Sequence, residues 1–189
     1  MINISSETDI WSIALSHLGA ESVTLYDDPR KSAKLCRVLY PGIKDAVLRA
    51  YPWRCARVQR SLAMLGTAPS NRYTYGFALP TDPYCLWVPK ILNQDLEYDV
   101  EGRNLLSDEA SVTVNYIWRV TNPGIFDTLL VEAIAERLAS TLAFPITGIV
   151  PLSKDLWNLY MLKLQEARTA DSVEGEMEEY ESNALIEVR

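Results

Sequence analysis

The stretch from Asp27 to Ala56, DDPRKSAKLCRVLYPGIKDAVLRAYPWRCA, constrains this chain most. Asp27 and Asp28 are side chains that cap free helix N–H groups, and Pro29 fits a first helical turn, where its missing N–H costs nothing. Leu35, Cys36, Leu39, Ile43, Ala46, Val47 and Ala50 recur at the spacing of one helix face. From Arg30 to Arg60 the chain also carries nine bases (Arg30, Lys31, Lys34, Arg37, Lys44, Arg49, Arg54, Arg57 and Arg60) against one acid, Asp45. The pattern predicts one long helix with an apolar side to bury and a basic side to place elsewhere. Pro41-Gly42 lies inside it and is expected to kink or split it, because proline removes one backbone hydrogen bond. Tyr51-Pro52-Trp53 closes the stretch, with proline as the stop and two large rings to pin the exit.

The charge outside this stretch decides how its bases are read. The 189 residues carry a net charge of −7. Residues 171–189 hold seven acids (Asp171, Glu174, Glu176, Glu178, Glu179, Glu181, Glu187) and one base, Arg189, so −6 of the total lies there and −1 in the rest. The body is near neutral and the acidity forms a tail, the usual sign of a solvated or interacting segment. Leu185, Ile186 and Val188 break its polarity and point to docking on a partner. A body of this size buries roughly 70% of its unfolded surface, enough for a proper core. No run of about 18 apolar residues is present, which predicts no membrane span. MINISSETDIWS lacks the charged and apolar regions of a secretory signal. Cys36, Cys55 and Cys85 are odd in number and widely spaced. That spacing fits neither a disulfide framework nor a zinc site and suits a reducing compartment.

In chain order, Ser6 with Asp9 three places on approximates a capping box before Ile10, Trp11, Ala14, Leu15 and Leu18, which predicts a helix over residues 6–18 ended at Gly19. The basic helix follows. Residues 54–65 are mixed, and 66–71 are turn-rich. Tyr73, Tyr75 and Phe77 alternate; residues 85–92 form a candidate strand that Pro89 assigns to an edge or bulge. Glu101-Gly102-Arg103 reads as a hairpin turn between residues 96–100 and 104–106. Val112, Val114, Tyr116 and Trp118 alternate cleanly. Residues 72–119 are therefore expected to form a small antiparallel sheet between helices. Phe126, Leu129, Leu130, Ala133, Ile134, Arg137, Leu138 and Leu142 trace a helix ended by Pro145, with Asp127, Glu132 and Glu136 on its solvated side. Residues 152–169 give the last helix. Trp11, Trp53 and Trp118 are expected in the core.

Chemistry is sparse. His17 is the only histidine and lies in the first helix, where a structural role is commoner than catalysis. No Gly-x-Ser-x-Gly elbow and no Gly-rich phosphate loop occurs. Asp95, Glu97, Asp99 and Glu101 alternate with Leu96, Tyr98 and Val100; they read as either a carboxylate cluster for a metal or, more simply, a solvated strand face. Neither a metal nor a cofactor is expected, and no enzymatic activity. The basic segment has three readings: a solvated face, a duplex-DNA contact, or a partner for acids on another chain. A near-neutral body disfavours the second.

The order and spacing of several pieces resemble the tail tubular protein A family of tailed bacteriophages. These are Leu18-Gly19, the Asp27–Trp53 stretch, Tyr75–Pro80, Val100-Glu101-Gly102-Arg103, and Tyr116-Ile117 with Arg119-Val120-Thr121-Asn122-Pro123. Phe126-Asp127 and Glu132-Ala133 leading to Arg137-Leu138-Ala139 complete the set. The Pro41-Gly42 pair departs from the family's uninterrupted helix. The resemblance implies a non-enzymatic head-to-tail adaptor, a homo-oligomeric ring, typically twelve-fold, under the portal, located in the virion neck and in host cytoplasm during assembly. It implies portal contact through the tail (Glu174, Glu176, Glu178, Glu179, Tyr180, Leu185, Ile186, Val188). Subunit contact falls to Arg30, Lys34, Arg37, Arg54 and Arg57. Docking of the tail tube or nozzle, or contact between subunits, falls to Glu101, Gly102, Arg103 and Asn104. Contact with channel DNA would be non-specific. The competing function is a DNA-binding accessory protein using residues 30–60.

The expected fold is thus α+β, mainly α: a bundle of about four helices with a small antiparallel β insertion and an extended acidic C-terminal tail. The parts are residues 1–71 and 121–170 for the bundle, 72–120 for the insertion and 171–189 for the tail.

Overall fold

The computed structural model describes residues 5–67, 72–91 and 97–173. The first helix, α1 (Glu7–Ser16), starts as its capping box dictates. The Asp9 amide donates to Ser6 Oγ at 3.3 Å, and the Ser6 amide donates to Asp9 Oδ2 at 2.9 Å. The Ser5 amide first of all, at 2.9 Å, and then the Ser6 groups hold the Asp9 carboxyl below its ordinary range. Ile10, Trp11, Ala14 and Leu15 face inward.

The basic stretch is not one helix. Its helix, α2 (Lys31–Leu48), stops well before the last arginines. Arg54 lies in a short 3-10 turn, and Arg57 and Arg60 lie on a strand, β1 (Arg57–Ser61). The capping also differs, since Arg30 occupies the cap position with no side-chain cap bond. Asp28 is used otherwise: its carboxylate accepts the Arg30 amide at 2.9 Å and the guanidinium at 2.6 Å, which holds its pKa at about 2. The helix runs through Pro41 unbroken. Pro41 and Gly42 are exposed, so the carbonyl that loses its partner can be hydrated. Lys44, counted among the basic side, is buried, 3.7 Å from Glu7 and over the Tyr40 ring.

Seven strands follow: β1, β2 (Ala63–Met64), β3 (Tyr75–Ala78), β4 (Cys85–Ile91), β5 (Tyr98–Glu101), β6 (Asn104–Ser107) and β7 (Thr113–Trp118). They form two antiparallel sheets, ordered β1-β7-β4 and β2-β3-β6-β5. β4 is an edge strand with two register shifts, as Pro89 implies. The hairpin between β5 and β6 turns at Gly102, whose φ of +60° is strained for any residue with a side chain.

With four helices and two sheets among the described residues, the protein is a mixed α/β fold, and the expected helix bundle with a small β insertion is overturned. The reason is β1. Arg57-Val58-Gln59-Arg60-Ser61 has one apolar residue and an exposed course, so it shows no alternation; it is strand because it pairs in register with Thr113–Ile117. Central β7 is thereby buried on both faces. Ile117 joins the helical core with Trp11, Trp53 and Leu138, while Val114 and Tyr116 join a second core with Phe77, Cys85 and Leu105. Half-buried Trp118 packs against both, so it is not the core residue expected.

The last two helices pair closely. Helix α3 (Thr128–Thr147) is capped by Asp127, which accepts from the Leu129 amide at 2.9 Å. It passes Pro145 and stops at Gly148, in the left-handed region at φ +74°, whose amide closes on the Phe144 carbonyl at 2.9 Å. Helix α4 runs from Val150 to Val173, beyond both expected ends.

Glu136 on α3, expected on the solvated side, is buried 3.0 Å from His17 Nδ1. Burial raises its carboxyl pKa above the ordinary 4.5; His17 and Lys163 oppose the rise and Glu132 adds to it. A raised folded-state pKa gives stability that is present below the unfolded value and lost as pH rises through the folded one. Urea unfolding between pH 4.5 and about 6, below the ordinary histidine titration, is therefore expected to show stability falling with pH. Glu136→Gln should flatten that slope; equal slopes in the two proteins would exclude a net burial penalty.

Candidate functional site

A cleft of about 660 Å³ opens between the C-terminal half of α2 and the two sheets. Gly42, Asp45, Ala46 and Arg49 supply its helical wall, at the three- and four-residue steps that place them on one side of α2. Tyr84 comes from the link between β3 and β4, Arg103 from the β5–β6 turn, and Arg119 from the residue after β7. Three separate connections thus converge on one helix face.

The arginines are held in different ways. Arg103 donates to the Cys85 carbonyl at 2.7 Å and the Pro80 carbonyl at 2.6 Å. Arg119 donates from Nε and Nη2 to Asp45 Oδ2, at 2.8 and 2.7 Å. Both guanidinium groups lie over the Tyr84 ring, at 4.2 and 4.3 Å from its centroid. Stacking of this kind fixes charge without neutralising it. Arg49 is exposed and has no side-chain partner among the described residues. Three positive charges therefore face one carboxylate, whose Oδ1 is buried without a hydrogen bond among the described residues. The arrangement suits an anionic group. The Cys85 thiol in the wall is pushed up by burial, which suppresses the thiolate a nucleophile needs.

Asp45–Arg119 also ties the sheets to the helices. Arg119→Ala is expected to cost about 1–2 kcal/mol, the loss of a charge-assisted bond in a half-exposed setting. The double variant that adds Asp45→Ala should cost in total less than the two single losses added, when measured by urea unfolding. Strict additivity would show that the pair contributes nothing.

A smaller pocket of about 200 Å³ lies between Trp53, Arg54, Cys55, Phe126 and Asp171. Arg54 caps it, its amide donating to Asp171 Oδ1 at 3.1 Å and its Nε to the Asp171 carbonyl at 2.8 Å. Burial, with Asp171 and Asp127 nearby, pushes the Cys55 thiol up to about 11.

The residues expected to make subunit contacts are mostly occupied within the chain. Arg30 binds Asp28 and Glu21, and Arg37 reaches Asp27 at 3.4 Å across the Tyr26 ring. Arg54 holds Asp171, and Arg57 donates to the Pro52 carbonyl at 2.9 Å. Lys34 alone of the five has no partner among the described residues. Glu101, Gly102, Arg103 and Asn104 do form one turn, but Arg103 points into the cleft. Glu174, Glu176, Glu178, Glu179, Tyr180, Leu185, Ile186 and Val188 lie outside the described residues, as does Asp95. Glu97, Asp99 and Glu101 are exposed. Among the described residues no group of three or more His, Cys, Asp or Glu side chains is placed to hold a metal, and no helix is long and apolar enough to cross a membrane.

No protein-family model matches the chain, and no curated protein matches it.

Tyr84 and Arg119 carried no pattern of their own in the sequence. Asp45 did: a single acid among nine bases, on the half-buried side of a helix, marks a partner that has to come from elsewhere in the chain.

A second surface is apolar. Phe144, Ile149, Val150, Trp157, Met161 and Leu162, at the α3–α4 turn and along α4, are 44–66% exposed. Trp157 and Met161 stand one turn apart on the same helix.

Proposed function

We propose that this chain is the ring-forming head-to-tail adaptor of a tailed bacteriophage. The ring sits under the portal, extends the DNA channel and receives the tail. The sequence support is the ordered resemblance from Leu18-Gly19 to Arg137-Leu138-Ala139. The structural observation that carries the reading is the exposed apolar surface of the α3–α4 hairpin. A ring subunit needs a surface for its neighbour that is dry once assembled and open before. The turn at Glu101–Asn104 lies on the β5–β6 hairpin and not on the α3–α4 surface, and in this reading it docks the tail or meets a neighbouring subunit.

The experiment is electron microscopy of the protein mixed with the portal of the same phage. A ring of density under the portal, twelve-fold if the resemblance holds, is the expected image. A protein that stays monomeric and leaves the portal bare would sink the reading. Residues 174–189 are the segment to delete when testing the tail's part in portal binding, because residues 171–173 belong to α4 and Asp171 is bonded to Arg54. Undiminished binding by the truncated chain would remove that role.

The DNA-binding reading has less support. Phosphate contacts need free cations; Arg30, Arg37, Arg54, Arg57 and Arg60 are each engaged within the chain, which leaves Lys34 and Arg49 of this segment without side-chain partners among the described residues. It predicts duplex affinity that falls steeply with salt.

A further inference from the structure

The cleft beside Arg49 and the acidic tail have complementary charge, and their positions are related. We infer that residues 174–189 fold back onto the same chain and place their carboxylates in the cleft lined by Arg49, Arg103 and Arg119. The inference uses only the body and its tail and does not depend on the adaptor reading.

The first ground is charge. The cleft presents three arginines against Asp45. Sixteen residues follow Val173, with six acids (Glu174, Glu176, Glu178, Glu179, Glu181, Glu187) and one base, Arg189. The second ground is unused donors. A guanidinium has five N–H groups. Among the described residues Arg119 spends donors only on Asp45, Arg103 only on backbone carbonyls, and the Arg49 side chain on nothing. Tyr84 holds two of these groups in place, so the cleft is organised before a carboxylate arrives. Trp87 and Tyr84 add ring surface beside the cations, a setting that suits Tyr180 as well as the acids.

The third ground is where the tail begins. Near the end of α4, Arg168 donates to the Ala50 carbonyl at 2.7 Å, and Arg49 is the next residue. The described part of α4 reaches five residues past Arg168, to Val173. Sixteen residues span up to about 55 Å when extended, ample for this reach. A tether of that length gives an effective concentration on the order of millimolar, so even weak exposed ion pairs fill the site within one chain. A second copy at micromolar concentration competes poorly.

The test uses the full-length chain with Tyr180 replaced by benzoylphenylalanine, irradiated as an equal mixture of ordinary and heavy-isotope protein. Mass spectrometry of the digest then locates the adducts. The expected result is adducts on peptides holding Tyr84–Val88 or Arg103, each joining fragments of the same isotope. Arg49→Glu should lower their yield at least five-fold, as should raising salt from 50 mM to 0.5 M. Arg49 is exposed and unpaired among the described residues, so the fold does not depend on it. Glu178→Gln with Glu179→Gln provides a second variant that leaves the body untouched and should lower the yield in the same way. Adducts elsewhere, no adducts, adducts joining unlike isotopes, or a yield indifferent to both variants would each overturn the inference.

Discussion

Replacing Trp53 by alanine is expected to destabilise the protein by about 3–5 kcal/mol, the cost of emptying a large site in a packed core. Trp53 is 1% exposed. Its indole Nε1 donates to the Val47 carbonyl at 3.0 Å, which ties the end of α2 to the chain that leaves it. Tyr51 meets the ring edge-on at 5.0 Å between centroids. Truncation removes the ring, opens a void beside Leu130 and Ala167, and leaves the Val47 carbonyl with the Ala50 amide at 3.0 Å in place of two donors. In a chain of this size such a loss lowers Tm by roughly 10 °C or more. Urea unfolding of the alanine and phenylalanine variants checks it. Phenylalanine keeps most of the volume and should recover a good part of the loss. A cost under about 1 kcal/mol for alanine would mean that Trp53 does not pin the exit of α2.

The second large effect lies on the surface. Under the adaptor reading, Leu162→Glu together with Val150→Glu puts two carboxylates into the exposed apolar hairpin, at positions 66% and 64% exposed. Stability should stay within about ±0.5 kcal/mol, the ordinary range for surface changes. Association should weaken by well over ten-fold, because an unpaired charge buried in an interface costs several kcal/mol. Sedimentation velocity of the variant with portal reads both the ring and the complex. Unchanged assembly would move the subunit contact away from α4, and Lys34 would be the next residue to reverse. Trp157 is a poorer probe, since it also packs against Tyr160 and lies under Arg137.

How much of this was legible depended on where a residue's partner lies in the chain. Helix α1 was readable because its cap, Ser6 with Asp9, is local. The β5–β6 hairpin was readable because Gly102 has to adopt positive φ. β7 was readable because it alternates. β1 was not, because Arg57–Ser61 becomes a strand only through residues 113–117, more than fifty positions away. Proline misled twice. Pro41 and Pro145 both lie inside helices that continue past them, although proline gives up one backbone hydrogen bond. Glu136 looked solvated because its helix face was judged from α3 alone, whereas His17 of α1 covers it. The cleft was the least legible part. Its arginines could be counted, but only the fold brings Arg103 and Arg119 onto Tyr84.

Burial of β7 on both faces has a kinetic consequence. Amide hydrogens of a strand covered by one layer exchange when that layer loosens. Those of Tyr116 and Ile117 are shut in from two sides, since one side chain belongs to the β core and the next to the helical core. Neither core can open alone and free this strand. Its amides should exchange with deuterium only when the whole body unfolds, at a rate set by global stability. The helices and the sheets then melt as a single cooperative unit, although the chain builds two separate cores.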